Sequence, residues 1–224
     1  MPSGRCSMLD SKLISILANA TLETLYMSFV SSFLAFFGGL ALAVLLILSD
    51  KDSLRPMPLL YKILDAGINV LRSFPFLILI IILFPFTRFL LGQSTGSTAM
   101  IVPLSIGITP FMARIIETAF REVDKGIIEA ARSFGASDLQ IVFKVMFVEA
   151  LPAIVSGLVL VLIMAIGFSA MAGSIGGGGL GDVAVKYGYY RFQTDVLLAT
   201  VVILIVLVQL IQMCGNWAYR RLKK

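Results

Sequence analysis

Between Glu23 and Asp50 the chain carries no charged side chain, a stretch longer than the roughly 20 residues a helix needs to cross a bilayer. A secretory signal would show an apolar core of only about 7–15 residues, so the run from Thr24 to Leu48 reads as a retained span. Four further runs follow: Leu64 to Leu91, Ala99 to Ile116, Pro152 to Ala172 and Val196 to Tyr219. With 58% hydrophobic residues, 14% charged and a mean hydropathy of +0.97, the 224 residues cannot hide their apolar surface inside a water-soluble domain. The fold class expected is an all-α membrane protein with five transmembrane helices.

Within these runs the small residues are spaced. Ser31, Ala35, Gly39 and Ala43 recur every four positions in the first, and Ala165, Ser169 and Gly173 do so in the fourth. Such ridges let another helix approach closely. Pro75 and Pro85 lie in the second run, which is therefore expected to be bent or split. Of the 18 Lys and Arg residues, thirteen fall on the side of the 50–72, 114–144 and 220–224 segments, and five (Arg5, Lys12, Arg88, Lys186, Arg191) on the other. The positive-inside rule then puts the N-terminus outside and the C-terminus in the cytoplasm. The net charge of +5 sits beside the spans, which marks orientation rather than nucleic-acid binding. Residues 1–20 are expected to form an extracytoplasmic segment, 21–215 the membrane-spanning domain and 216–224 a basic cytoplasmic tail.

The longest patterned stretch outside the spans is EAARSFGASDLQIVFKVMFVEALP, Glu129 to Pro152. Ile127, Ala130, Ala131 and Phe134 fall at i, i+3, i+4 and i+7, one face of a short helix. Gly135 stops that helix, and Ser137 with Gln140 has capping-box spacing for a second one. The second would present Leu139, Val142, Phe143, Met146 and Phe147 as its apolar face. The pattern fits a docking platform between spans three and four; the plain alternative is a loop lying on the membrane surface.

Chemistry of other kinds is scarce. There is no histidine, and the two cysteines, Cys6 and Cys214, stand near opposite ends, so no His/Cys metal site or disulfide framework is expected. No Asp or Glu lies in the uncharged centre of a span, which argues against a proton-coupled carrier. The run Gly173 to Gly181 is no phosphate loop, because Asp182 and Val183 stand where Lys and Ser/Thr would be needed. It is expected to be a flexible connector over the membrane surface, with a re-entrant loop resembling a selectivity filter as the alternative. The chain thus shows no catalytic machinery, and its energy source is expected in another subunit. Five helices are few for a complete pathway, so a homodimer with its pore on the two-fold axis is expected. Met164, Gly167, Phe168 and Met171, with Ser169 nearby, are the candidates to line it, and ordinary helix packing is the alternative.

The string Glu129-Ala130-Ala131 with Gly135 resembles the EAA loop of ABC-importer permeases, with Val148 where the family has proline. Arg72-Ser-Phe-Pro-Phe, Ile101-Val-Pro-Leu, Pro110-Phe-Met-Ala-Arg114, Ser169-Ala-Met171, Gly178-Gly-Leu-Gly181 and Tyr187-Gly-Tyr189 are similar to the methionine-uptake branch of that family. The resemblance implies a type I importer permease fold in a bacterial cytoplasmic (inner) membrane. It implies a non-enzymatic subunit that moves methionine, both L- and D-. It further implies two permeases, two ATP-binding subunits on the cytoplasmic face and an extracytoplasmic methionine-binding protein. ATP and Mg would be bound by the partner ATPase, reached through Ile127, Glu129, Ala130, Ala131, Phe134, Gly135 and Ala136. The competing readings are a permease for another small amino acid or peptide, or a self-contained channel or secondary carrier.

Overall fold

The computed structural model describes residues 3–50 and 56–223. Lys51, Arg55 and Lys224, counted above among the basic residues, lie outside these, as do Met1 and Pro2 of the N-terminal segment. Among the described residues every element is helical: α1 (Ser3–Ser49), α2 (Pro58–Ser73), α3 (Phe76–Leu91), α4 (Ser97–Arg121), α5 (Lys125–Ser133), α6 (Asp138–Gln140), a π-helix (Ile141–Met146), α7 (Phe147–Gly173), α8 (Gly179–Val183), a second π-helix (Ala184–Tyr189) and α9 (Thr194–Leu222). Among the described residues four helices are long and apolar enough to cross a membrane, or up to five if the bent pair α2–α3 is one span.

The bend has a local cause. α2 and α3 meet at 108° across Phe74 and Pro75, and Phe74 sits at φ −69°, ψ 131°. A residue before proline is pushed out of the helical region into extended backbone. The second run is therefore two helices. α2 begins at Pro58, ahead of the expected start at Leu64, and is amphipathic, burying only Ile68. Prolines 85 and 152 instead lie inside intact helices. At the N-terminus, α1 runs without a break from Ser3 into the first span, so the backbone shows no change at residue 20.

The chain divides into two compact units, residues 1–31, 75–105 and 162–210 in one and residues 32–74, 106–161 and 211–224 in the other. α1, α4, α7 and α9 contribute to both. The expected ridges are buried throughout: Ser31, Ala35 and Ala43 are fully so, with Gly39 between them. In the second unit, a Cβ on Gly39 would stand 2.9 Å from the Ala113 amide nitrogen and 2.8 Å from Met112 Cβ. α1 and α4 thus pack nearly backbone to backbone there. Leu46, Ile68 and Ala113 form a buried cluster beside it, flanked by Leu42, Tyr61 and Leu64. Gly67 in α2 has open space around the Cβ position, and glycine inside a helix costs about 0.5–1 kcal/mol relative to alanine. Gly67→Ala should therefore raise stability by about that amount, read as a higher melting temperature of the purified protein in detergent.

In the first unit the glycine run is a packed element, which corrects the expected flexible connector. Gly176, Gly178 and Gly179 hold φ of 88°, 79° and 75°, left-handed backbone that glycine adopts without strain. The resulting turn delivers α8 onto its neighbours. The Gly176 carbonyl accepts from the Gly96 amide at 2.9 Å. The free amides at the start of α8 donate to α1, from Gly179 to Glu23 Oε2 at 2.7 Å and from Leu180 to Thr24 Oγ1 at 2.9 Å. Leu180 is fully buried with Ala20, Val183 and Val196. A segment whose amides are capped by side chains more than 150 positions away is held by tertiary structure.

Candidate coupling surface and pathway face

α5 starts where its sequence can cap it. Asp124 Oδ1 accepts from the amides of Gly126 at 2.6 Å and Ile127 at 3.3 Å, satisfying two of the donors that a helix start leaves over. The helix ends as expected. The Gly135 amide donates to the Arg132 carbonyl at 2.9 Å and that of Ala136 to Ala131 at 3.2 Å, with Gly135 at φ 79°. The capping box then forms: Ser137 Oγ accepts from the Gln140 amide while Gln140 Oε1 accepts from the Ser137 amide.

No residue of α5 is buried. Ile127, Glu129, Ala130 and Gly135 are exposed, Ala131 and Ala136 are half-buried, and Phe134 is 92% exposed. The stripe marked by sequence is the outward face. The inward face, which sequence reasoning missed, carries Lys125, Ile128 and Arg132, and these line a cavity of about 340 Å³ with Val123, Ile141 and Met146. Their i, i+3, i+7 spacing was visible, but charged residues at two of the three positions masked it.

The second platform helix is not separate. Helix runs from Asp138 to Gly173 without interruption, so Leu151-Pro152 marks no boundary. The six residues after α6 are π-helical; the wider turn rotates the apolar face. Val142 and Met146 are buried as expected, but Leu139 and Phe143 are exposed, and Ile141 takes an inner place. At Gly135 no atom lies within 4 Å of a built Cβ, so a substitution meets a conformational cost, not a clash. Gly135→Asn, which tolerates left-handed backbone, should keep most transport, whereas Gly135→Val should lose most of it at equal membrane abundance. Uptake assays with immunoblotting of membranes check this.

The pathway candidates share one face of α7. Met164 is half-buried, Gly167 exposed with nothing near its Cβ position, and Met171 is 50% exposed. Phe168 stacks on Phe76 of α3, ring centroids 4.0 Å apart and planes 8° from parallel. Ser169 lies on the opposite side, 1% exposed, donating to the Ile166 carbonyl at 2.8 Å. Among the described residues no group of three or more His, Cys, Asp or Glu could hold a metal ion.

Residues 39–224 match the family model described as binding-protein-dependent transport system inner membrane component. The chain is 46% identical over 206 residues to a probable D-methionine transport system permease protein of Vibrio cholerae, covering 92% of each. It is 46% identical over 198 residues to the methionine import system permease protein of Bacillus subtilis, covering 88% of this chain and 89% of that one. Among solved structures, a chain of the MetNI methionine ABC transporter in inward-facing conformations superposes with a TM-score of 0.93 at 41% identity, covering 95% of this chain and 99% of that chain. An amino acid ABC transporter crystallised with histidines shares the fold, with a TM-score of 0.78 at 21% identity.

Proposed function

Because the chain belongs to the family of binding-protein-dependent transport system inner membrane components, we propose that it is the permease subunit of an ATP-driven methionine importer. The observation that carries this is α5, a capped amphipathic helix with an apolar outward stripe and no buried residue. A lone helix of 9 residues is marginal in water. Its apolar stripe gains most by lying in a groove of a partner, here the ATPase subunit, which binds ATP and Mg. Ile127, Ala130, Ala131 and Phe134 make that contact, Glu129 borders it, and Gly135 and Ala136 set the turn.

The assembly is two copies of this chain, two ATPase subunits and an extracytoplasmic binding protein that delivers the amino acid. The N-terminus faces outside and the C-terminus the cytoplasm. Met164, Gly167, Phe168 and Met171 line the path of the solute, with Ser169 packing behind them. Thioether and aromatic groups suit a methionine side chain, since sulfur makes favourable contacts at ring edges. The test is uptake of radiolabelled L- and D-methionine by proteoliposomes holding permease, ATPase subunit and binding protein. Accumulation that requires ATP and is competed by methionine is expected. Equal uptake without the ATPase subunit would instead establish a self-contained carrier, and preference for another amino acid would reassign the substrate.

A further inference from the structure

The second unit holds a charge cluster that the coupling surface does not use. Arg114, Glu117 and Arg121 fall at i, i+3 and i+7 in the last two turns of α4, so all three share a face. Glu117 is only 2% exposed. Its carboxylate accepts from Arg114 Nη1 at 2.8 Å and from Arg121 Nη2 at 2.9 Å and Nε at 3.2 Å. The Tyr61 hydroxyl of α2 lies 3.4 Å from Oε1.

Each arginine then reaches a different neighbour. Arg114 Nη2 donates to Asp65 of α2 at 2.5 Å and to Asn69 at 3.2 Å. Arg121 Nη1 pairs with Asp50, next after the end of α1, at 2.6 Å. One buried carboxylate therefore orients two guanidinium forks, and each fork holds another helix. The same stretch of α4 leads through Glu122–Asp124 straight into α5.

Stability alone is a poor reason for such a cluster. Replacing a buried ion triad by apolar residues of similar size is often neutral or stabilising, whereas charge pairs enforce one geometry. A hydrophobic contact lets helices slide; a planar guanidinium held on one side by Glu117 and on the other by a carboxylate next to or on another helix narrows both distance and direction. We propose that Glu117 is a positioning residue for energy coupling, holding Arg114 and Arg121 so that α2 and the end of α1 move with α4 when α5 is displaced. The proposal rests on α5 as the ATPase-docking helix.

The experiment reads methionine imported per ATP hydrolysed, in proteoliposomes with the ATPase subunit and binding protein. A merely structural role would reduce assembled transporter and scale both rates together. Glu117→Gln keeps the size of the side chain but removes its charge and replaces one of its two accepting oxygens by an amide donor. It should lower the ratio by about tenfold, inside the range of site-to-site coupling, with ATP hydrolysis retained. Should that variant fail to assemble, Asp50→Asn with Asp65→Asn decides, since both carboxylates lie at the partly exposed ends of the arms. The double variant should also lower the ratio, and each single variant by less. A wild-type ratio in the assembled Glu117→Gln protein or, failing that, in the double variant would overturn the role of the cluster. Absence of ATP-dependent uptake by the wild type would overturn the importer reading instead.

Discussion

Phe134→Asp should abolish ATP-driven uptake while leaving the permease folded and in the membrane. Phe134 is 92% exposed and caps the C-terminal end of α5, so its removal takes nothing from the fold. In a groove on the ATPase subunit the same ring would be an aromatic anchor. Truncating such anchors typically costs about 2 kcal/mol or more, and a carboxylate left in the groove adds an unpaired buried charge. ATPase-subunit binding should therefore weaken at least about 30-fold, the factor equivalent to ~2 kcal/mol. The check is co-purification of the ATPase subunit with the solubilised permease, alongside uptake. Phe134→Leu should keep most of both, because it retains an apolar anchor. A Phe134→Asp protein that still co-purifies with its partner and transports normally would remove α5 as the docking helix.

Sequence carried this surface well because its signals are local. Gly135, Ser137 and Gln140 bond backbone or side-chain groups three positions away, so their spacing alone encodes the turn and the second cap; the Asp124 cap went unread. The small-residue ridge of α1 was legible for a similar reason, since a helix repeats its faces every three to four residues whatever it packs against. The π-helical turns at Ile141–Met146 and Ala184–Tyr189 were not. Their wider turn has no compositional mark, and tertiary packing selects it. Proline was ambiguous too. Pro75 splits its run at an extended Phe74, whereas Pro85 stays inside its helix, as membrane helices allow, and the presence of a proline does not tell the two outcomes apart. The Glu117 cluster was half visible: Arg114, Glu117 and Arg121 share a face by spacing, but Asp50, Tyr61 and Asp65 come from far along the chain.

Glycine was the residue most open to misreading, and it leads to the second large effect. Gly181→Val should destabilise the protein by about 3 kcal/mol or more, at the upper end of overpacking costs. A flexible loop and a close backbone approach use the same residue; only the neighbours tell them apart. A Cβ on Gly181 would overlap the Ala170 carbonyl oxygen and Cα, and one on Gly173 would overlap the Asp182 amide nitrogen. Backbone on both sides cannot rotate away as a side chain would. α8 would have to leave α7, exposing Leu180, now fully buried, and breaking the bonds from Gly179 and Leu180 to Glu23 and Thr24. Thermal unfolding in detergent should show a clear drop in melting temperature, against the rise expected for Gly67→Ala. Were the run only a surface connector, Gly181→Val would melt with the wild type, and the anchoring of α8 by α1 and α7 would have to be abandoned.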